Sequence, residues 1–159
     1  MRHQWVVHGP VETVFRYVTD SRTFCDWFTV FREVHPDDPE GPIHVGSHAT
    51  MRVKALLPYV LDWDVTVVRH EPPRLQQTAV KVTLSGRFAM RGTITYRFEE
   101  RPDGTVVVHN EQALTADTPL PGFLKPVAEA LFRFNHRWAM QKAQAPLQAI
   151  VAGASANGR

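Results

Sequence analysis

The hydrophobic and polar positions change period several times along the chain, and each change marks an element. Residues 2–8 alternate, with Trp5 and Val7 apolar, and predict a short strand that Gly9-Pro10 breaks. Pro10 suits a first helical position, with Glu12 in the first turn. Val11, Val14, Phe15 and Val18 then follow at i, i+3, i+4 and i+7, one buried helical face that ends near Thr19-Asp20-Ser21. A second short helix, 23–28, carries Phe24, Trp27 and Phe28. Phe31 to Val34 predicts a strand, and Pro36 to Pro42, with three prolines, a polar turn.

Longer strands come next. Ala49, Met51, Val53 and Ala55 alternate with His48, Thr50, Arg52 and Lys54. After Pro58, Trp63, Val65 and Val67 alternate with Asp62, Asp64 and Thr66, until Pro72-Pro73 stops the strand. Leu75–Leu84 and Arg87–Glu99 follow across a Ser85-Gly86 turn, and Thr105–Leu114 returns after Asp103-Gly104. Gly92 falls in phase with Phe88, Met90, Ile94, Tyr96 and Phe98, which predicts a bend or bulge. Short turns between consecutive strands imply an antiparallel meander.

A helix is predicted from about Leu120 to Val151, with Pro126 near its start and Pro146 kinking or ending it. On a wheel of about 100° per residue its apolar arc is wide: Leu131, Phe132, Phe134, Trp138, Ala139 and Ala143 fall in it with Leu124, Val127 and Ala128. Such a helix should be heavily covered. The fold class is α+β: a curved antiparallel sheet of about seven strands gripping a long C-terminal helix, with two short helices after the first strand. The domain runs over 1–152 and the tail, 153–159, reads as flexible. One helix cannot fill the concavity of such a sheet, which leaves room for a cavity.

Composition narrows the function classes. With 159 residues, 43% hydrophobic and 21% charged, the chain suits one ordinary core. No apolar run reaches the ~20 residues a bilayer span needs, and the N-terminus lacks a signal-peptide pattern. The lone cysteine, Cys25, points to a reducing compartment, and a cytoplasmic location is the expectation. Its default is a buried, inert thiol. Net charge is +2 with interspersed signs, so neither nucleic acid nor stable membrane insertion is expected. His44 and His48 do not share a helical face and no Cys/His cluster occurs, so neither a metal nor another cofactor is expected. Nothing marks a Ser or Cys nucleophile or a phosphate loop. A monomer or homodimer fits equally.

Several local signatures resemble the START-like (SRPBCC) superfamily, the helix-grip fold of polyketide cyclases/dehydrases, lipid-transfer domains and Bet v 1-like proteins. Gly9-Pro10-Val11-Glu12-Thr13-Val14-Phe15 is similar to the start of the family's first helix. Asp20 with Trp27 is similar to its inter-helix segment, and Glu71-Pro72-Pro73-Arg74-Leu75 to its central bend. Gly92 to Phe98, then Asp103-Gly104-Thr105, is similar to its last hairpin. The resemblance covers nearly the whole chain and implies the fold, a cavity and a hydrophobic small-molecule ligand.

The candidate residues each carry two readings. Asn135 lies near the centre of the helix's apolar arc, as a hydrogen-bonding group in the cavity or as a structural amide. His136 lies at the arc's edge, as a proton carrier or a half-exposed rim residue. Arg69 shares phase with Trp63, Val65 and Val67. It points inward to hold a carboxylate, enolate or phenolate if the strand stays regular, and is solvated if the strand has ended. Periodicity does not choose between His109 with Glu111 and the opposite phase of Val106, Val108 and Leu114. Similarity to aromatase/cyclases favours His109 inward, where a His/Glu pair could do acid–base work. Met51, Trp63, Phe88, Met90, Ile94, Tyr96, Phe132 and His136 are expected to line the ligand site.

The leading functional expectation is a polyketide cyclase/dehydratase, a lyase-type enzyme. It would enolise and dehydrate a bound chain with Arg69, His109, Glu111 and Asn135 as catalytic residues. The alternative is a non-catalytic carrier or sensor of a lipid, sterol, quinone or isoprenoid.

Overall fold

The computed structural model describes residues 1–54, 56, 60–84, 88–116 and 125–157; at 88, 89, 125–129 and 157 the backbone alone is described. Chain order is β1 (Arg2–His8), α1 (Val11–Thr19), a 3₁₀ turn (Ser21–Thr23), α2 (Phe24–Trp27), β2 (Phe31–Pro36) and β3 (His48–Val53). Then come β4 (Leu61–Glu71), β5 (Leu75–Leu84), β6 (Phe88–Glu100), β7 (Thr105–Ala116) and α3 (Lys125–Asn157). The strands form one seven-stranded antiparallel sheet in the order β1-β7-β6-β5-β4-β3-β2. This is the helix-grip arrangement that the alternation pattern predicts.

α1 buries Val11, Val14, Phe15 and Val18, the face its spacing defines, and Pro10 stands one residue earlier as its cap. Trp27 anchors α2 by donating its indole N–H to the Tyr17 carbonyl at 3.0 Å. Asp20 accepts from the Arg22 backbone N–H and also pairs with its guanidinium, 2.6 Å away at the closest, so the 3₁₀ turn is capped and pinned by one carboxylate. In β6, Gly92 pairs with Val80 and Leu114 without a bulge. A Cβ at Gly92 would overlap the Ala113 carbonyl oxygen, so glycine here lets two strand backbones approach closely.

The contact between α3 and β1 closes the structure. β1 is an edge strand, with β7 on one side only. Its free backbone groups meet two glutamines one helical turn apart. Gln148 accepts from His8 N–H at 2.8 Å and donates to His8 C=O at 3.1 Å. Gln144 does the same for Val6. Each side-chain amide thus substitutes for a peptide of a missing strand. Trp5, fully buried, donates its indole N–H to the Met140 carbonyl at 2.8 Å. Its ring also meets Trp27 and Phe28 edge-on, at centroid distances of 5.8 and 6.1 Å.

α3 departs from the sequence expectation in two ways. It continues through Pro146 to Asn157. The carbonyl that loses its donor belongs to Lys142 on the exposed face, and fully buried Leu147 and Val151 hold the following turns in place. The apolar arc is also less covered than the wheel suggests: Asn135, Ala139, Met140 and Ala143 are buried, whereas Leu131 and Phe134 are exposed. Residues 120–124, where the helix was expected to begin, lie outside the described part.

Replacing Gln144 and Gln148 by alanine should each lower the unfolding free energy by about 1 kcal/mol, the net worth of such hydrogen bonds. Urea denaturation should show a lower midpoint with an unchanged slope.

Candidate functional site

A partly open cavity of about 60 Å³ lies between the sheet and the N-terminal half of α3. Phe28 and Val30, between α2 and β2, and Phe31, the first residue of β2, form one wall. Val53, Leu61, Trp63 and Ile94 come from the sheet, and Phe132, Ala139 and Met140 from the helix. The polar side chains of the lining are Tyr96, Gln112, Asn135 and His136. The volume exceeds the ~15 Å³ that admits one water but is well short of the ~300 Å³ of a drug-sized pocket. It suits one end of a ligand whose body extends outward.

Asn135, Trp63, Ile94, Tyr96, Phe132 and His136 therefore meet at one place. Asn135 is 5% exposed, and its Oδ1 accepts from the Leu56 backbone N–H at 3.1 Å. It both holds the chain leading to β4 and lines the cavity, so its two readings coincide. Trp63 Nε1 and His136 Nε2 are buried without a hydrogen-bond partner, as is Asn110 Nδ2 on β7. Leaving such a group unpaired costs about 1–3 kcal/mol, so each has a reason to seek a partner.

His136 sits where a positive charge is disfavoured. Burial first, then His3, then the N-terminal ammonium group lower its pKa from 6.5 to about 4. That ammonium group donates to the Gln112 carbonyl at 2.6 Å. The ring is neutral at pH 7. Burial also raises the Tyr96 pKa, with the Asn110 side chain offsetting part of the shift, so the phenol stays protonated. The cavity is lined by neutral hydrogen-bonding groups in apolar walls.

Other expected site residues lie elsewhere. The β4–β5 register shifts between Val67 and Arg69, and this irregularity turns Arg69 outward. Its Nε bonds Glu71 at 2.6 Å on the surface. His70 takes the inward place, 5.6 Å from the Phe15 ring, with Nδ1 2.8 Å from Gln76 Oε1. His109 and Glu111 also face outward, correcting the inward expectation. His109 lies between Gln4 (2.9 Å) and Glu99 (3.2 Å). Glu111 bonds Arg2 at 2.9 Å, and that contact, with Arg97 a lesser cause, lowers its pKa. The inward phase of β7 is Val106, Val108, Asn110, Gln112 and Leu114. The first four are buried, and Val107 on the opposite phase is buried too, which is why alternation did not decide. Gln112 was missed for that reason, although Val106, Val108 and Leu114 carry its signal.

Met51 and Met90 are buried core outside the cavity lining, and the side chain of Phe88 lies outside the described residues. Cys25 is exposed, not buried. Partial desolvation and then Asp26 hold its thiol pKa high, so it is no thiolate. A larger space, about 220 Å³, opens under the β2–β3 connection, lined by Asp37, Asp38, His44 and His48 among others. Its polar groups largely satisfy one another, His48 lying 3.0 Å from Asp37 and 3.2 Å from Asp64. Among the described residues no group of three His, Cys, Asp or Glu could hold a metal ion.

A family model described as "Polyketide cyclase / dehydrase and lipid transport" matches residues 1–148. No curated protein matches the sequence significantly. Among solved structures, a conserved protein from Geobacillus kaustophilus is similar with a TM-score of 0.69 at 10% identity, covering 96% of this chain and 95% of its own. A protein from Thermus thermophilus gives 0.64 at 16%, covering 94% and 97%. The di-domain ARO/CYC StfQ from the steffimycin biosynthetic pathway gives 0.59 at 13%, covering 91% of this chain and 44% of that two-domain protein. At these identities the likeness is one of fold.

The depressed His136 pKa has a stability consequence. Well above pH 6.5 the ring is neutral folded and unfolded and contributes no pH dependence. As pH falls from 6.5 through about 4, the unfolded chain binds a proton that the folded chain refuses, and stability is lost. Between about pH 7 and about pH 4.5 the loss assignable to this ring should be on the order of 2–3 kcal/mol. Unfolding free energies of the parent and of His136→Leu, from urea titrations at the two pH values, should differ by that amount in their pH dependence.

Proposed function

Because the chain belongs to the polyketide cyclase/dehydrase and lipid-transport family, we propose that its cavity binds a neutral hydrophobic small molecule and promotes cyclase-type enolisation and dehydration of a polyketide-like chain. The observation that carries this reading is the pair of unpartnered buried nitrogens, Trp63 Nε1 and His136 Nε2, on two residues that line one small apolar cavity with Asn135. A cavity that served only to hide hydrocarbon would have no use for them.

The chemistry asked of these groups is modest. In enolisation a C–H bond breaks beside a carbonyl and an O–H bond forms on its oxygen. The enol carbon then attacks a second carbonyl of the same chain, and the resulting alcohol leaves as water with a neighbouring hydrogen. An indole N–H can hold a carbonyl oxygen, and a neutral imidazole can exchange a hydrogen bond with an enol hydroxyl. A ring whose pKa is about 4 is a weak base. The rate gain therefore comes chiefly from holding the chain in a reactive fold.

The absence of a charged side chain from the described lining favours a second reading, a carrier of a lipid, sterol, quinone or isoprenoid. Native mass spectrometry of the purified chain, paired with a cyclisation assay on a short poly-β-ketone, separates the two. For the enzyme, Trp63→Phe and His136→Ala should each slow cyclisation tenfold or more, the cost of about 1.4 kcal/mol or more in the transition state. Retention of a small molecule with no acceleration of the β-ketone would instead establish the carrier.

A further inference from the structure

α3 carries an outward apolar strip of which Leu131 and Phe134 are exposed and Trp138 packs by one side against the core. Leu131 and Phe134 are 45% and 58% exposed, and half-buried Trp138 continues their row at i, i+3, i+7. Exposed Arg137 borders this row on one side of the helix and exposed Lys142 on the other, and exposed Arg133 lies a further step round beyond Arg137. From residue 130 to residue 157 the sequence contains no Asp or Glu. Leu56, 48% exposed, is tied to the same stretch through the bond from its N–H to Asn135.

We propose that this face of α3 docks on an anionic lipid surface, with Leu131, Phe134 and Leu56 entering the headgroup boundary and Arg133, Arg137 and Lys142 pairing with lipid phosphates. An apolar row edged by cations is what an interfacial helix requires. The helix would lie on the bilayer. No helix among the described residues is long and apolar enough to cross one. A second copy of this chain fits less well, because a two-fold contact through this face would set cations against cations with no carboxylate from residues 130–157 to answer them. The same two turns place Phe132, Asn135 and His136 in the cavity, so docking would bring the cavity wall to the membrane surface. The proposal stands on the outer face of the helix and does not depend on what the cavity binds or on whether it is catalytic.

Co-sedimentation of the full chain with vesicles tests it. Vesicles of phosphatidylcholine with phosphatidylserine should bind the chain at least tenfold more tightly than phosphatidylcholine alone, and binding should fall as salt rises. Arg133→Glu with Arg137→Glu should weaken it on the order of thirtyfold. Arg32→Glu with Lys81→Glu, the same charge change on exposed strand positions, should weaken it far less. Phe134→Ser should reduce binding at all salt concentrations. Three results would each overturn the proposal. One is no binding by the parent chain. Another is an equal loss in both charge-reversal variants. The last is a dimer in sedimentation velocity that Phe134→Ser dissolves while vesicle binding stays absent. Arg133→Gln with Arg137→Gln, a milder change at the same exposed positions, keeps the face testable if the charge-reversal variant fails to fold, and unchanged binding by that folded variant would also overturn the proposal.

Discussion

The union of α3 with the edge strand β1 is the contact on which the rest of the structure depends. An edge strand presents a row of unpaired amides, and a helix has no backbone donors to spare for them. Here Gln144 and Gln148 supply side-chain amides at the spacing of one helical turn, which matches alternate residues of the strand. The Trp5 indole meets the Met140 carbonyl one turn earlier. These bonds fix the helix in both rotation and translation. A purely apolar interface would constrain the register far less, because dispersion contacts are not directional.

Once the C-terminal half of α3 is fixed in this way, its N-terminal half must cross the concave face of the sheet. Rotation decides which side chains look where. Ala139, Met140 and Ala143 pack inward, Asn135 and His136 meet the cavity, and Leu131 with Phe134 is left outside. The cavity is thus what remains between a single helix and a curved sheet. Its polar character comes from a few residues on four elements: an indole from β4, a phenol from β6, an amide from β7, and an amide and an imidazole from α3. Low polarity around them keeps the imidazole neutral and the Tyr96 phenol protonated. A site of this kind selects for shape and hydrogen-bonding pattern, and offers little to a charged ligand.

The order of elements was legible because each period change covers enough residues to outweigh local noise. The cavity was half legible. Trp63, Ile94, Tyr96, Phe132, Asn135 and His136 follow from regular alternation or from the wheel, and the structure brings them together. Arg69 does not follow, because a register shift just before it reverses the phase, and a bulge leaves no mark in alternation when Val67 and Val68 are both apolar. His109 and Gln112 exchanged places for a related reason. β7 has buried valines on both faces, so its pattern has no period to read.

The gripping helix shows most plainly where the sequence stops. By itself the sequence determined that a long helix follows the last strand, that it is apolar over a wide arc, and that Asn135 interrupts this arc. Those properties are local and depend only on residue identity and helical pitch. The sequence also placed Gln144 and Gln148 a turn apart, but nothing local ties them to a strand more than 130 residues away. Tertiary structure alone decided the rotation of the helix, and with it which part of the arc became core, cavity wall and exposed face. The physical reason is that a wide apolar arc can be buried by several rotations at similar cost, whereas the directional bonds to β1 admit one.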